Sequence, residues 1–160
     1  MKQPSSVGGQ ELREMIVVAT EWLDKSAHDI DVLNVFPVPD GDTGTNMLLT
    51  MRSSIEEAYR APDQSASAVA QAMSRGALMG ARGNSGVILS QIWRGLAQAF
   101  AEKESLTGGD FVDALPQAST MAYKGLSNPV EGTILTVIKE AAAAVQAQAA
   151  SGNKDLISVM

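Results

Sequence analysis

The chain has no cysteine, one histidine and few aromatic residues: two Trp, two Tyr and three Phe in 160 positions. The first absence excludes disulfides and thiolate metal sites, and it permits a reducing compartment without proving one. Basic clusters are missing too. Lys and Arg number 12 against 18 Asp and Glu, giving a net charge of −6 and a pI near 4.7. That balance excludes nucleic acid as the default partner, because phosphate binding wants a basic face. No uninterrupted apolar run reaches membrane-spanning length, and the opening MKQPSSVGGQELRE lacks the apolar core of a signal peptide. A soluble chain with no transmembrane segment, expected in the cytoplasm, follows. Its 160 residues suffice for one domain with a sizeable core.

What is present favours helices, since Ala and Met are abundant and β-branched alternation is scarce. Leu12, Met15, Ile16, Ala19 and Leu23 share one helical face. Met47, Leu48, Met51, Ile55 and Ala58 do the same from about Gly44 to Tyr59, where Ala61-Pro62-Asp63 stops the run. Val69, Met73 and Ala77 face inward from a small-residue helix over 65–80. Val87, Ile88, Ile92, Leu96 and Phe100 mark the next, which ends before Thr107-Gly108-Gly109. Phe111, Leu115, Ala118, Ala122 and Leu126 mark a fifth, with Pro116 either early in it or kinking it. A sixth runs from about Thr133 to Ala150, closed by Ser151-Gly152-Asn153, and Lys154 to Met160 reads as the start of one more. Trp22 and Trp93 read as core residues. No strand, repeat or linker is evident, and the pattern predicts an all-α antiparallel bundle.

Three polar, glycine-rich loops precede helix starts: residues 34–46, 80–86 and 127–133. The first, NVFPVPDGDTGTNM, sets Asp40 and Asp42 one residue apart, with no Lys or Arg between Lys25 and Arg52. Two readings of the pair stand open. Acidic residues ahead of a helix satisfy its free N–H groups and its dipole. Alternatively, carboxylate, amide and hydroxyl oxygens suit Mg²⁺ or Ca²⁺, and Gly41 lets both carboxylates turn toward one point. An EF-hand is excluded, because counting from Asp40 puts Thr45 where Gly belongs and Met51 where Glu belongs. A phosphatase-type Asp at the end of a buried strand is disfavoured by the Pro-x-Pro approach. Mg²⁺ completed by phosphate oxygens remains.

Such a site needs a phosphate cradle, and no Walker sequence is present. GARGNSG over 80–86 offers one, since Gly83 and Gly86 allow close backbone approach and the helix start attracts an anion. The same glycines also suit simple helix contact. NPVEGT over 128–133 is by itself an ordinary helix start. His28, the single histidine, reads as a surface or capping residue. Arg82 reads as solvated or touching phosphate.

Together these segments carry a resemblance. LNVFPVPDGDTGTNM, GALMGARGNSGVILSQIWRG and AYKGLSNPVEGTILTVIKEAA, in that order, resemble the N-terminal kinase domain of the bacterial fatty acid kinase catalytic subunit. That domain belongs with the nucleotide-binding subunit of dihydroxyacetone kinase. The resemblance covers about residues 10 to 150. It implies an all-α, barrel-like bundle of about eight helices that binds ATP or ADP with two Mg²⁺ ions at one rim. Carried over, Asp40, Asp42 and Asn34 are metal ligands, Asn34 lying near the place where the dihydroxyacetone kinase branch has a third Asp. Gly83, Asn84, Ser85 and Gly86 match the phosphate-binding helix start. Thr43, Thr45 and Asn46 follow the acidic pair toward the phosphates, and Gly132 and Thr133 match a segment lining the nucleotide pocket.

Thr43 replaces the His of the dihydroxyacetone kinase branch, and Asn34 its Asp; both departures favour the fatty acid kinase branch. Family members also continue through further helices. The resemblance therefore implies one nucleotide-binding kinase domain over 1–160 that lacks its last helices and is not expected to phosphorylate fatty acids alone. The implied reaction moves the γ-phosphoryl group of ATP to the carboxylate of a fatty acid presented by a fatty-acid-binding protein. No catalytic side chain is assigned, and a homodimer is admissible. Two alternatives stand beside it. One is a dihydroxyacetone kinase ADP-binding subunit in phosphotransferase-dependent triose phosphorylation, and the other is a non-catalytic helical interaction module.

Overall fold

The computed structural model describes residues 5–62 and 65–160. Seven helices occur among them: α1 (Gly9–Leu33), α2 (Thr43–Arg60), α3 (Ala66–Met79), α4 (Gly83–Ala99), α5 (Gly108–Lys124), α6 (Ile134–Ala150) and the short α7 (Leu156–Val159). Each helix from α1 to α6 packs on its sequence neighbour, and α2 also meets α4 while α1 meets α3. This is the expected all-α bundle. No described helix is long and apolar enough to cross a membrane. Of the expected stop at 61–63, Asp63 lies outside the described residues.

The main core gathers Leu12, Met51, Val69, Met73, Trp93 and Phe100, and a second cluster joins Ile88, Ile92, Ala118, Leu135 and Ile138. The inward face of α3 is the predicted one, with Val69, Met73 and Ala77 fully buried. In α1 four of the five predicted residues, Leu12, Met15, Ile16 and Leu23, pack on the core, whereas Ala19 is exposed and Thr20 and Ala27 are buried in addition. Thr20 is tolerated there because its hydroxyl donates to the Ile16 carbonyl at 2.8 Å. Trp93 is 5% exposed, as expected of a core residue, but Trp22 is 72% exposed. The Trp22 position falls outside the α1 stripe and lies in a surface groove beside Met15, Val18 and Met160.

Helix α2 carries a second buried face that apolar periodicity does not show. Thr50 and Ser54 are fully buried, and the Ser54 hydroxyl reaches across to the Met73 carbonyl at 2.8 Å. Thr50 donates to the Asn46 carbonyl at 2.8 Å and accepts the Arg82 N–H at 3.2 Å, which ties the start of α4 to α2. Pro116 sits well inside α5 rather than at its start. Contrary to the expectation of no strand, Ser6–Val7 (β1) pairs antiparallel with Leu106–Thr107 (β2). A two-residue pairing between segments this far apart in sequence leaves no alternation to read.

The close approach of α1 to α2 sets the geometry of one rim. Gly44 is buried, and a Cβ there would overlap the Ala27 carbonyl. The absence of that carbon lets the first turn of α2 lie directly on the last third of α1.

Candidate functional site

All three glycine-rich loops meet at that rim, around a cleft of about 570 Å³. The first contributes Asn34, Asp40, Asp42 and Thr43, the second Gly83, Asn84 and Ser85, and the third Asn128, Val130, Gly132 and Thr133. Thr45, Asn46 and Gly86 stand apart from the lining. Thr45 is engaged with Asp31, and Asn46 packs under Gly83. Gly86 is buried, and a Cβ on it would strike the Thr50 hydroxyl, so its place in the structure is the α2–α4 contact.

The capping question posed by the acidic turn has a structural answer. Asn34 Oδ1 accepts the N–H groups of Asp42 at 3.1 Å and Thr43 at 3.2 Å, and its amide donates to the Val38 carbonyl at 3.0 Å. Asp31, at the end of α1, accepts the Thr45 N–H at 3.0 Å and the Thr45 hydroxyl at 2.6 Å. Partial burial works to raise the Asp31 pKa, but the Thr45 hydroxyl, the amides of Thr45 and Gly44, and nearby His28 outweigh it and lower it. Two side chains from outside α2 therefore satisfy its first turn. Asp42 occupies the N-cap position yet makes no side-chain cap bond. Among the described residues neither the Asp40 nor the Asp42 carboxylate has a hydrogen-bond or ion-pair partner. Capping does not account for them.

Asp31 escaped the sequence reading because its partner lies 14 residues away, across the loop. Its spacing carries no local signature. For Asn34 the structure shows an amide oxygen already holding two N–H groups, which is as many as its two lone pairs accommodate.

The second loop presents donors. Arg82 is the N-cap of α4 and makes no side-chain cap bond. Among the described residues the N–H groups of Gly83, Asn84 and Ser85 have no protein acceptor. They are the unsatisfied first-turn donors of a long helix, with the positive end of its dipole behind them. Gly83 has φ +59°, a conformation glycine adopts without strain. The Ser85 hydroxyl donates to the Thr43 carbonyl at 3.4 Å, joining this helix start to the acidic turn.

Charge in the cleft is one-sided. Its lining contains Asp40 and Asp42 and no Lys or Arg; Arg82 is exposed and donates to its neighbour Ala81 at 3.2 Å. Two carboxylates beside open N–H donors would repel a polyphosphate unless cations intervene. The donor set is all oxygen, which fits Mg²⁺. Among the described residues no three His, Asp or Glu side chains converge as a complete metal cage. Mg²⁺ bound through one or two carboxylates, with phosphates completing it, needs no such cage. His28 is exposed and does not line the cleft.

The apolar lining includes Phe36 and Val38 from the first loop, Leu126 and Val130 from the α5–α6 connection, and Ile134 and Val137 from the start of α6. Thr133 caps α6 through its hydroxyl, accepting the Leu135 N–H at 3.3 Å. The arrangement combines two carboxylates and open N–H groups with an apolar surface in one cleft.

The DAK2 domain family model matches residues 37–160. The chain is 48% identical over 137 residues to Protein YloV of Bacillus subtilis, an overlap covering 86% of this chain and 25% of that protein. It is 44% identical over 156 residues to an uncharacterized protein of Staphylococcus saprophyticus, covering 98% of this chain and 28% of that one. A Staphylococcus aureus protein, also described as uncharacterized, is 42% identical over 156 residues with the same coverage. The chain thus spans about a quarter of the length of these relatives.

Proposed function

The chain belongs to the DAK2 domain family, a kinase-related group of nucleotide-binding modules, and from that premise we propose that its cleft binds Mg²⁺–ATP for phosphoryl transfer to a fatty carboxylate. One observation carries the site assignment. Asn34 and Asp31 satisfy the start of α2, so among the described residues Asp40 and Asp42 stand unpartnered in a cleft that also holds the open N–H groups of α4.

Asp40 and Asp42 would hold the metal, and Asn34 would hold the loop that carries them. Mg²⁺, when bound, supplies charge neutralisation at the phosphate oxygens. The N–H groups of Gly83, Asn84 and Ser85 donate to the phosphate chain and fix its direction. The apolar surface, with Val130 and Ile134, packs against the base and excludes water from it. A carboxylate oxygen of the acceptor attacks the γ-phosphorus, the bond to the β-bridging oxygen breaks, and ADP leaves with that electron pair. Such a transition state asks mainly for positioning and charge stabilisation. A fatty carboxylate is already ionised near neutral pH, so the reaction needs no general base. The absence of a histidine from the cleft lining is consistent with that acceptor. A partner of the fatty-acid-binding class would present the acyl chain, and consumption of ATP suits a cytoplasmic location.

The test is to supply ATP, Mg²⁺ and a fatty-acid-loaded carrier protein to the chain alone, where no turnover is expected, and to a protein of its relatives' full length that contains it, and to trap acyl phosphate with hydroxylamine. Hydroxamate formation that depends on all three supports the reading. Absence of hydroxamate, with phosphorylation of dihydroxyacetone from a phosphohistidine donor in its place, would replace it with triose chemistry.

A further inference from the structure

Glu131 does not line the cleft, yet it fastens the turn that does. Its Oε1 accepts the Tyr123 hydroxyl at 2.7 Å and the Lys139 ammonium at 3.1 Å, and its Oε2 accepts the Thr136 hydroxyl at 2.7 Å. Thr136 Oγ1 in turn accepts the Gly132 N–H at 2.7 Å. Tyr123 belongs to α5, and Thr136 and Lys139 to α6, so one carboxylate ties the turn to both flanking helices. Inside the turn the Thr133 hydroxyl donates to the Val130 carbonyl at 2.8 Å. The segment so fixed presents Val130, Gly132 and Thr133 to the cleft.

The cleft lining combines two chemistries. Open N–H groups and carboxylates suit phosphates and their metal, which leaves the apolar surface from the α5–α6 connection for the base. We infer that Glu131 is a positioning residue for the nucleoside half of the ligand: it holds the α5–α6 turn in the shape that packs against the base, and touches neither ligand nor metal. This rests on the nucleotide reading of the cleft. Three donors on one carboxylate, each from a different residue, over-determine the turn in the way a preorganised wall requires. The same donors lower the Glu131 pKa to about 2, while burial first and Glu131 second raise Tyr123 to about 12. Both groups keep their bonded forms across the physiological range.

A network that merely joined two helices would change stability and leave ligand discrimination alone, so the test separates the two. Glu131→Ala, Glu131→Gln and Tyr123→Phe are compared with the parent by calorimetry, using Mg²⁺ with a non-hydrolysable ATP analogue and Mg²⁺ with inorganic tripolyphosphate. Loosening the wall should weaken the ATP analogue about fivefold or more in Glu131→Ala, and less in the other two, while tripolyphosphate changes by less than about twofold. Equal losses for both probes, or no loss for either, would overturn the inference. Amide exchange at 130–133 in the ligand-free protein gives an independent arm. Faster exchange in Glu131→Ala supports the fastening role, and unchanged exchange contradicts it. If the parent binds neither probe, the nucleotide reading falls, and the exchange arm still decides whether Glu131 holds the turn.

Discussion

Replacing Asn34 and Asp42 by alanine should give opposite results in stability and binding, although the two residues face each other across one loop. Asn34→Ala removes the oxygen that accepts the N–H groups of Asp42 and Thr43, and the amide that holds the Val38 carbonyl. Loss of a cap costs about 1 kcal/mol, with an upper value near 2. For a chain of this size that is a fall in Tm of about 2–8 °C. Asp42→Ala removes a carboxylate that makes no cap bond, so its stability change should stay within about 0.5 kcal/mol. Its Tm should move by less than about 2 °C. Binding should reverse the order, because Asp42→Ala removes a charge from the proposed metal position and Asn34→Ala only loosens the loop. Thermal unfolding followed by far-UV circular dichroism, together with Mg²⁺–nucleotide calorimetry, reads both quantities. A destabilisation at Asp42 as large as that at Asn34 would refute the division of labour.

Three further outcomes follow from particular contacts. Gly86→Ala places a Cβ against the Thr50 hydroxyl, and overpacking there should cost about 1–3 kcal/mol in chemical denaturation while leaving the affinity of the folded state near that of the parent. Gly44→Ala meets the Ala27 backbone, which cannot swing aside; it should destabilise by at least as much and also weaken nucleotide, because it displaces α2 and the acidic turn together. The third concerns pH. The pKa of Glu131 is lowered to about 2 from an ordinary value near 4.5, so its contribution is complete above that ordinary value and is lost as pH falls toward 2. Amide protection of the 130–133 turn should decline over that window in the parent, and the decline should be absent in Glu131→Gln.

Much of the fold was legible because apolar side chains recur at helical spacing, as at Val69, Met73 and Ala77. Where hydroxyls replace them the signal fails. Thr50 and Ser54 are fully buried but polar, and only their carbonyl partners at Asn46 and Met73 make that burial tolerable. Trp22 fails for the opposite reason: an aromatic in a helix reads as core, but its position falls off the buried stripe of α1. At the site, glycine and proline punctuation marked the three loops, and the structure brings all three to one cleft. The sequence could not say which side chains cap and which are free. That is decided by bonds spanning 8 to 14 residues, from Asn34 and Asp31 to the first turn of α2. The Glu131 hub was missed because its partners sit on two different helices, and Glu-Gly-Thr before a helix resembles any capped start.

The central claim is that two unpartnered carboxylates serve a metal-bound nucleotide. Calorimetric titration of the chain with a non-hydrolysable ATP analogue, with and without Mg²⁺, beside Asp40→Asn and Asp42→Asn, tests it most directly. The account predicts binding that requires Mg²⁺ in the parent and is lost in both variants with the fold intact. Affinity that is independent of Mg²⁺, or unchanged in both variants, would contradict it.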